Sequence, residues 1–421
     1  MTSTRRGVVP SPALPSSSQS PSSQSPSSQS PSLLPPSLLL PLLLLPALLL
    51  SGCGALSGPS GAGTDAAIAV VVGAHANAPA PEPLGAVAGV LDRAAHAQAT
   101  AAVVVASGTP AVVRRGALGL GCRNEASCAR AEYTNSELLR AAISQARATT
   151  PEDNLLGALD LGSRTLADHR GGKLLAVIDS GLQTVAPLRF QDPGVLASDP
   201  AEVADYLASV GALPSLAGDT VVFSGIGDTV GPQPALPTAQ RTNLRAIWAA
   251  IAQRAGAASV QFVHDPLTAQ PAAGLPPVTT VPVGPPVSFD ATTVSLPDAT
   301  LGFWHDSAVL RDPTTARATL RQLADRITAT RTTVLITGIT ANVGPLAGQR
   351  TLGQARADAV AAILKQLGVP TNRVRTVGVG SAWPGYVPDH DATGHLLPGP
   401  AARNRMVLVE FQHRATTKAA E

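Results

Sequence analysis

Between residues 66 and 265, short apolar runs alternate with stretches whose apolar residues recur at helical spacing. Residues 66–73 (AAIAVVVG), 100–106 (TAAVVVA), 173–179 (KLLAVID), 219–224 and 259–264 are short and apolar, which predicts buried strands. Residues 84–97, 137–149, 154–169, 200–210 and 238–255 carry the periodicity of helices with one apolar face. Alternation of this kind predicts an α/β domain with a doubly wound, mostly parallel sheet and helices on both faces. Ligands on such sheets gather beyond the C-terminal strand ends. Residues 266–286, rich in Pro, Val and Thr, read as an extended connector. Past it, the pattern predicts a smaller α/β sandwich over residues 287–414. Its elements are runs at 287–296 and 303–310, a helix over 314–328, a strand over 332–338, a helix ending at Gln366, and strands over 373–380 and 403–411. Residues 415–421 form a tail.

The start of the chain has a different character. Residues 1–32 are Ser-, Pro- and Gln-rich and bury too little apolar surface to offset chain entropy, so disorder is expected there. Residues 33–50 are apolar but interrupted by Pro35, Pro36, Pro41 and Pro46, which suits the hydrophobic region of a signal peptide better than a membrane-spanning helix. The run ends in Leu50-Ser51-Gly52-Cys53, which resembles the lipobox of bacterial lipoproteins. That resemblance implies export, cleavage before Cys53, and acylation of its thiol with diacylglycerol and palmitate. The protein would then be lipid-anchored to a membrane of the cell envelope on its extracytoplasmic side. Residues 54–65, rich in Gly and Ser, would be the tether.

The cysteine count fits this picture. Of three cysteines, Cys122 and Cys128 lie close together in a polar stretch, and in an exported protein they read as a local disulfide. Cys53 is then the odd one out. The formal charge of +2 gives no electrostatic reason to expect nucleic acid as a partner. With aromatics at 3%, the cores must be built from Ala, Val, Leu and Ile.

In the middle domain, the element order and the stretch from Thr150 to Leu159 before the Lys173 strand resemble a von Willebrand factor A-type domain. That family's metal site needs Asp-x-Ser-x-Ser after the first strand, because Mg²⁺ takes hard oxygen ligands. This chain has Gly73-Ala74-His75-Ala76-Asn77 there. Thr150 and Asp179 match the family's later ligand loops, but the first loop does not, so no metal and no cofactor is expected. His75, His96, His169 and His264 are scattered, and neither a Gly-x-Ser-x-Gly nor a phosphate-cradling glycine loop is present. Ser180 in Asp179-Ser180-Gly181, and the Gly225 to Asp228 stretch, read as strand-ending turns. The domain is therefore expected to be a protein-interaction module rather than an enzyme.

The second domain carries denser motifs. Gly338, Thr340 and Gly344 are followed by Leu352, Arg356, Ala357 and Val360 on a helix. Gly368 and Val369, then Gly378 and Gly380, and finally Asn404, Arg405 and Val407 come after. In order and spacing this resembles the OmpA-like family, whose domain binds the diaminopimelate of peptidoglycan. The resemblance implies two or more helices against one mixed sheet. It also implies that Arg356 meets the ligand's carboxylate, for which a planar fork of donors is suited. The family's acidic residue, which holds the ligand's amine, falls at Ala341, between Thr340 and Asn342, and Asn342 offers a neutral oxygen nearby. Peptidoglycan binding through Arg356, Asn342 and Thr340 is thus the first functional expectation. The alternatives are an envelope scaffold whose OmpA-like domain no longer binds the wall, and an unrecognised enzyme in the middle domain.

Overall fold

The apolar runs of the first half become strands, most of them buried on both faces and the last, at 259–262, half-buried. The computed structural model describes residues 67–119, 122–283, 287–290 and 292–412. The signal segment, Cys53, the tether and the 415–421 tail lie outside the described residues. Six strands, β1 (Ala67–Val72), β2 (Thr100–Val105), β3 (Ala111–Ala117), β4 (Lys173–Ile178), β5 (Thr220–Ser224) and β6 (Ser259–Phe262), form one sheet in the order β3-β2-β1-β4-β5-β6. Every pairing is parallel except that of β2 with β3. Strand side chains alternate between faces, and β1 shows the consequence. Ile68, Val70 and Val72 enter one core with α1 (Gly85–His96) and α2 (Glu125–Ser144). Ala67, Ala69 and Val71 enter the other with α3 (Leu155–Thr165), α4 (Pro200–Ser209) and α5 (Thr238–Arg254). Trp248 of α5 is fully buried there and donates its indole N–H to the Gly181 carbonyl at 2.9 Å.

Three local expectations change. Strand β3 has no counterpart in the hydrophobic pattern, because nearly all of its residues are exposed and no face alternates. Helix α2 begins at Glu125, well ahead of the expected 137. Its first half is polar and is started by a capping box between Asn124 and Ser127 rather than by an apolar stripe. The Cys122–Cys128 disulfide forms, but with Cys128 in the first turn of this helix instead of in a loop. Finally, the described part of 266–286 lies against the middle domain. Leu267, Val278 and Val281 are buried, and Gln233 holds the Val281 backbone from both sides, at 2.7 and 3.0 Å.

The second sheet contains β7 (Ser288–Phe289), β8 (Thr293–Pro297), β9 (Thr333–Ile339), β10 (Val374–Gly380) and β11 (Met406–Gln412), in the order β10-β9-β11-β8-β7. It is mixed, with β9 and β10 parallel and the other pairs antiparallel. A short α6 (Asp298–Leu301) follows β8, and α9 (Pro398–Asn404) precedes β11. The long helices α7 (Pro313–Thr330) and α8 (Leu346–Gln366) pack their apolar stripes on the sheet through residues such as Leu320, Leu323, Ile327, Val360 and Leu364. No helix among the described residues is long and apolar enough to cross a membrane.

Helix α8 lies unusually close to β9 and β10. A methyl group on Gly338 would overlap the Gly353 carbonyl, and one on Gly378 would overlap the backbone of Arg350 and Gln354. Gly338→Ala is therefore expected to destabilise this domain by about 1–3 kcal/mol, the usual penalty of overpacking. Gly348→Ala, on the same helix with open space around it, should be neutral or stabilising by up to about 1 kcal/mol. Urea titrations of the two variants followed by circular dichroism check the contrast; equal stabilities would refute it.

Candidate functional site

The register of the second sheet brings three strand ends together. Met406 stands opposite both Ile339 and Pro297, so Thr340, Arg405 and Asp298 all emerge at one end of the sheet. There the Asp298 N–H donates to the Arg405 carbonyl at 2.9 Å. Arg356 lies one turn beyond Gly353 on the sheet-facing side of α8 and is 4% exposed. Its Nε donates to the Ser307 carbonyl at 2.9 Å, its Nη1 stands 3.4 Å from Asp298 Oδ2, and its plane lies over the Phe303 ring at 5.1 Å. Burial pushes the Asp298 carboxyl up, against the pull of Arg356, and pushes the Arg356 guanidinium down.

The loop after β9 is tied on both sides. Gln349 donates to Asn342 Oδ1 and to the Gly344 carbonyl, both at 2.9 Å. The Asn342 N–H donates to Asp389 Oδ2, also at 2.9 Å. Burial opposes charge on Asp389, yet donors from Tyr386, Asn342 and Asn404 outweigh it and hold the carboxyl below its ordinary range. Of the sequence candidates, Thr340 keeps a buried hydroxyl with no hydrogen-bond partner. Asn342 spends its side-chain oxygen on Gln349. Ala341 is covered, so the place of the family's acid is apolar. Sequence reasoning missed Asp298 and Asp389, because no spacing marks a carboxylate that arrives from another strand end or from a long loop.

Residues 303–392 match the OmpA family. Solved structures similar to the OmpA region include the periplasmic domain of MotB from Helicobacter pylori, at 20% identity over 31% of this chain and 83% of that one, with a TM-score of 0.26. Another is the peptidoglycan-associated lipoprotein from Burkholderia pseudomallei, at 27% identity over 29% of this chain and 90% of that one, with a TM-score of 0.23. A third is the OmpA-like domain of FopA1 from Francisella tularensis, at 20% identity over 30% and 81%, with a TM-score of 0.22. No curated protein matches the chain. The OmpA region also meets the middle domain. Arg405 grips Glu202, in the first turn of α4, with both terminal nitrogens, Nη1 standing 2.7 Å from Oε2; both side chains are largely buried.

A second cluster lies at the C-terminal ends of β1 and β4. His75 follows β1, Asp179 follows β4, and Asp153 stands just before α3, whose cap Asn154 accepts from the Gly157 N–H at 3.0 Å. The three residues are at most 2% exposed, and one ligand-type atom from each lies within 4.8 Å of the others. Asp179 Oδ1 accepts from the Gly181 N–H at 2.6 Å. His75 Nδ1 and Nε2, Asp153 Oδ1 and Asp179 Oδ2 have no hydrogen-bond partner. Each such buried atom costs about 1–3 kcal/mol. The histidines that looked scattered therefore include one with two carboxylate neighbours. Thr150, matched in sequence to one of the family's later ligand loops, instead bonds Ser107 Oγ at 2.9 Å and accepts from the Gly108 N–H. The donor set of the von Willebrand A-type Mg²⁺ site does not fit these residues, since Gly73 offers no side-chain oxygen and Thr150 is engaged elsewhere. Ser180 acts as a turn residue, its hydroxyl accepting from the Leu182 N–H at 3.3 Å.

Burial pushes the Asp153 carboxyl up to about 7, and burial together with Asp153 raises Asp179 well above its ordinary range. Burial lowers His75. Carboxyls raised by folding bind more protons in the folded than in the unfolded chain between about pH 4 and pH 7, so their contribution to stability falls as pH rises through that window, while the lowered His75 contributes in the opposite sense. In chelator-treated protein, Asp153→Asn is expected to flatten that decline. Urea titrations at a series of pH values check it, and identical slopes for wild type and variant would contradict it.

Proposed function

We propose that the protein is an exported envelope protein that holds peptidoglycan non-covalently through its OmpA domain. One observation carries this reading: the OmpA match over residues 303–392 includes Arg356, whose guanidinium stands 3.4 Å from Asp298 at the sheet end from which Thr340 also emerges. A guanidinium held in a water-poor setting binds a carboxylate more strongly than one at the open surface. The name of the Burkholderia relative, a peptidoglycan-associated lipoprotein, agrees with the same ligand. In this reading Asp298 sits where it can meet the ligand's ammonium, a role left open by Ala341. Acylation at Cys53 supplies a second, lipid attachment. The middle domain engages a protein partner and carries no catalytic step.

A second reading is favoured by the enclosure of Arg356. Its fork is already engaged by Asp298 and Ser307, and Arg405 by Glu202. A domain satisfied in this way serves as an assembly scaffold without wall affinity.

Co-sedimentation with purified diaminopimelate-type sacculi separates the two. The first reading expects wild-type protein to be retained and Arg356→Ala to reduce retention at least about tenfold, the worth of one charge-assisted hydrogen bond of about 1.5–3 kcal/mol. No retention of the wild type, or equal retention of a folded Arg356→Ala variant, supports the scaffold. For the anchor, mass spectrometry of the membrane-bound protein is expected to find Cys53 acylated at a new N-terminus. An intact upstream segment with an unmodified thiol would remove that attachment.

A further inference from the structure

The buried trio in the middle domain has a donor chemistry that neither the wall-binding reading nor the family resemblance explains. One imidazole and two carboxylates converge from three separate segments, at the ends of adjacent parallel strands and at the start of α3. We infer that His75, Asp153 and Asp179 form a binding site for a divalent transition-metal ion, with Zn²⁺ as its best-matched occupant.

Three observations carry this. The first is the orphaned atoms. Both ring nitrogens of His75, one oxygen of Asp153 and one of Asp179 are buried without a hydrogen-bond partner. A proton shared between the two carboxyls would satisfy them and leave the imidazole its backbone interaction at Ala106, with at least one ring nitrogen unpaired. A single cation takes one ring nitrogen and both carboxylates at once. The second is the room made for Asp179. A methyl group on Gly73 would overlap Asp179 Oδ2, so the loop after β1 is cut back to backbone where the carboxylate enters.

The third is the scale of the cluster. His75 Nε2 lies 3.8 Å from Asp153 Oδ2, and the donor atoms span at most 4.8 Å. Tetrahedral zinc with bonds of about 2.0–2.2 Å sets its ligands about 3.3 Å apart. Closure of the widest pair by about 1.5 Å, within reach of side-chain rotation, would complete the site. A nitrogen ligand also selects among ions: imidazole suits zinc and its transition-metal neighbours, whereas Mg²⁺ prefers oxygen throughout and holds its waters. A cleft of about 210 Å³, lined by His75, Ala74, Ser144, Arg147 and Gln270 among others, lies beside the trio. It reaches the His75 side of the trio, the side from which an ion would approach.

The test uses the tag-free full chain. Elemental analysis after dialysis against Zn²⁺ is expected to find about one equivalent bound. Zn²⁺ added to chelator-treated protein should raise the melting temperature by several degrees, and Mg²⁺ should not. Co²⁺ in its place should give the visible absorption of a tetrahedral site with oxygen and nitrogen ligands. Asp153→Asn and Asp179→Asn should each lower Zn²⁺ affinity at least about tenfold while the far-ultraviolet spectrum stays native. The inference is overturned if the wild type binds no Zn²⁺, or if both asparagine variants keep the wild-type affinity, which would place the ion elsewhere. Should a variant fail to fold, the wild-type stoichiometry and cobalt spectrum decide alone: less than half an equivalent, or an octahedral aquo-type spectrum, rejects the site.

Discussion

The C-terminal domain depends on how near helix α8 can come to its sheet. Gly338 and Gly353 bring strand and helix backbones into direct contact, and Gly378 does the same one strand over. Side chains at i and i+3 share a helix face, so Arg356 is carried toward the same surface as Gly353. That is why it is buried. A guanidinium taken out of water needs compensating partners, and Asp298, the Ser307 carbonyl and the Phe303 ring provide them. The packing that makes Arg356 a candidate for carboxylate recognition therefore also requires an internal carboxylate beside it. An incoming ligand must either share the fork with Asp298 or displace it, and a zwitterionic ligand, bringing its own ammonium for Asp298, can share it.

The middle domain obeys a different constraint. Its central strands are apolar on both faces, so polar chemistry is confined to strand ends and to the loops beyond them. Strand β1 has β2 on one side and β4 on the other, and the chain leaves β1 and β4 at the same edge. His75 and Asp179 are brought together by that topology, and the N-terminus of α3 adds Asp153. Three ionisable groups in one dry pocket, with several of their polar atoms lacking hydrogen bonds, are costly, and folds keep such costs where they serve a purpose.

Much of this architecture was legible in the chain. The runs at 66–73, 100–106 and 173–179 became β1, β2 and β4, because a strand buried on both sides must be apolar throughout. The spacing from Gly338 to Val407 reported the C-terminal fold for a similar reason. Its glycines are needed where backbones touch, and Arg356, Asn404 and Arg405 at sheet ends cannot be moved without unmaking a contact. What was not legible depended on tertiary context. Strand β3 is exposed on both faces and leaves no periodic trace. The polar first half of α2 is set by the Asn124 cap, a signal of two residues. Asp153 sat unnoticed because nothing local distinguishes a helix-start aspartate that faces solvent from one that faces His75. Asp298 likewise gains meaning only through the pairing of β8 with β11.

The Arg356 site is also tied to the seam between the domains. Glu202 reaches from the first turn of α4 to hold Arg405, whose carbonyl accepts the Asp298 N–H, and Asp298 in turn stands against Arg356. Near that seam, Gly194 and Gly399 approach so closely that a side chain on Gly194 would overlap the Gly399 carbonyl. A buried ion pair of this kind adds little net stability over an apolar contact of the same shape, but it is intolerant of misplacement, since either charge left alone is strongly penalised. Its effect is to fix orientation. The middle domain is thereby held against the end of the OmpA sheet where Arg356 lies, and whatever displaces Asp298 from Arg356 must act on a residue whose backbone is bonded to Arg405. The Arg356–Asp298 pair and the docking of the middle domain consequently rest on the same few side chains.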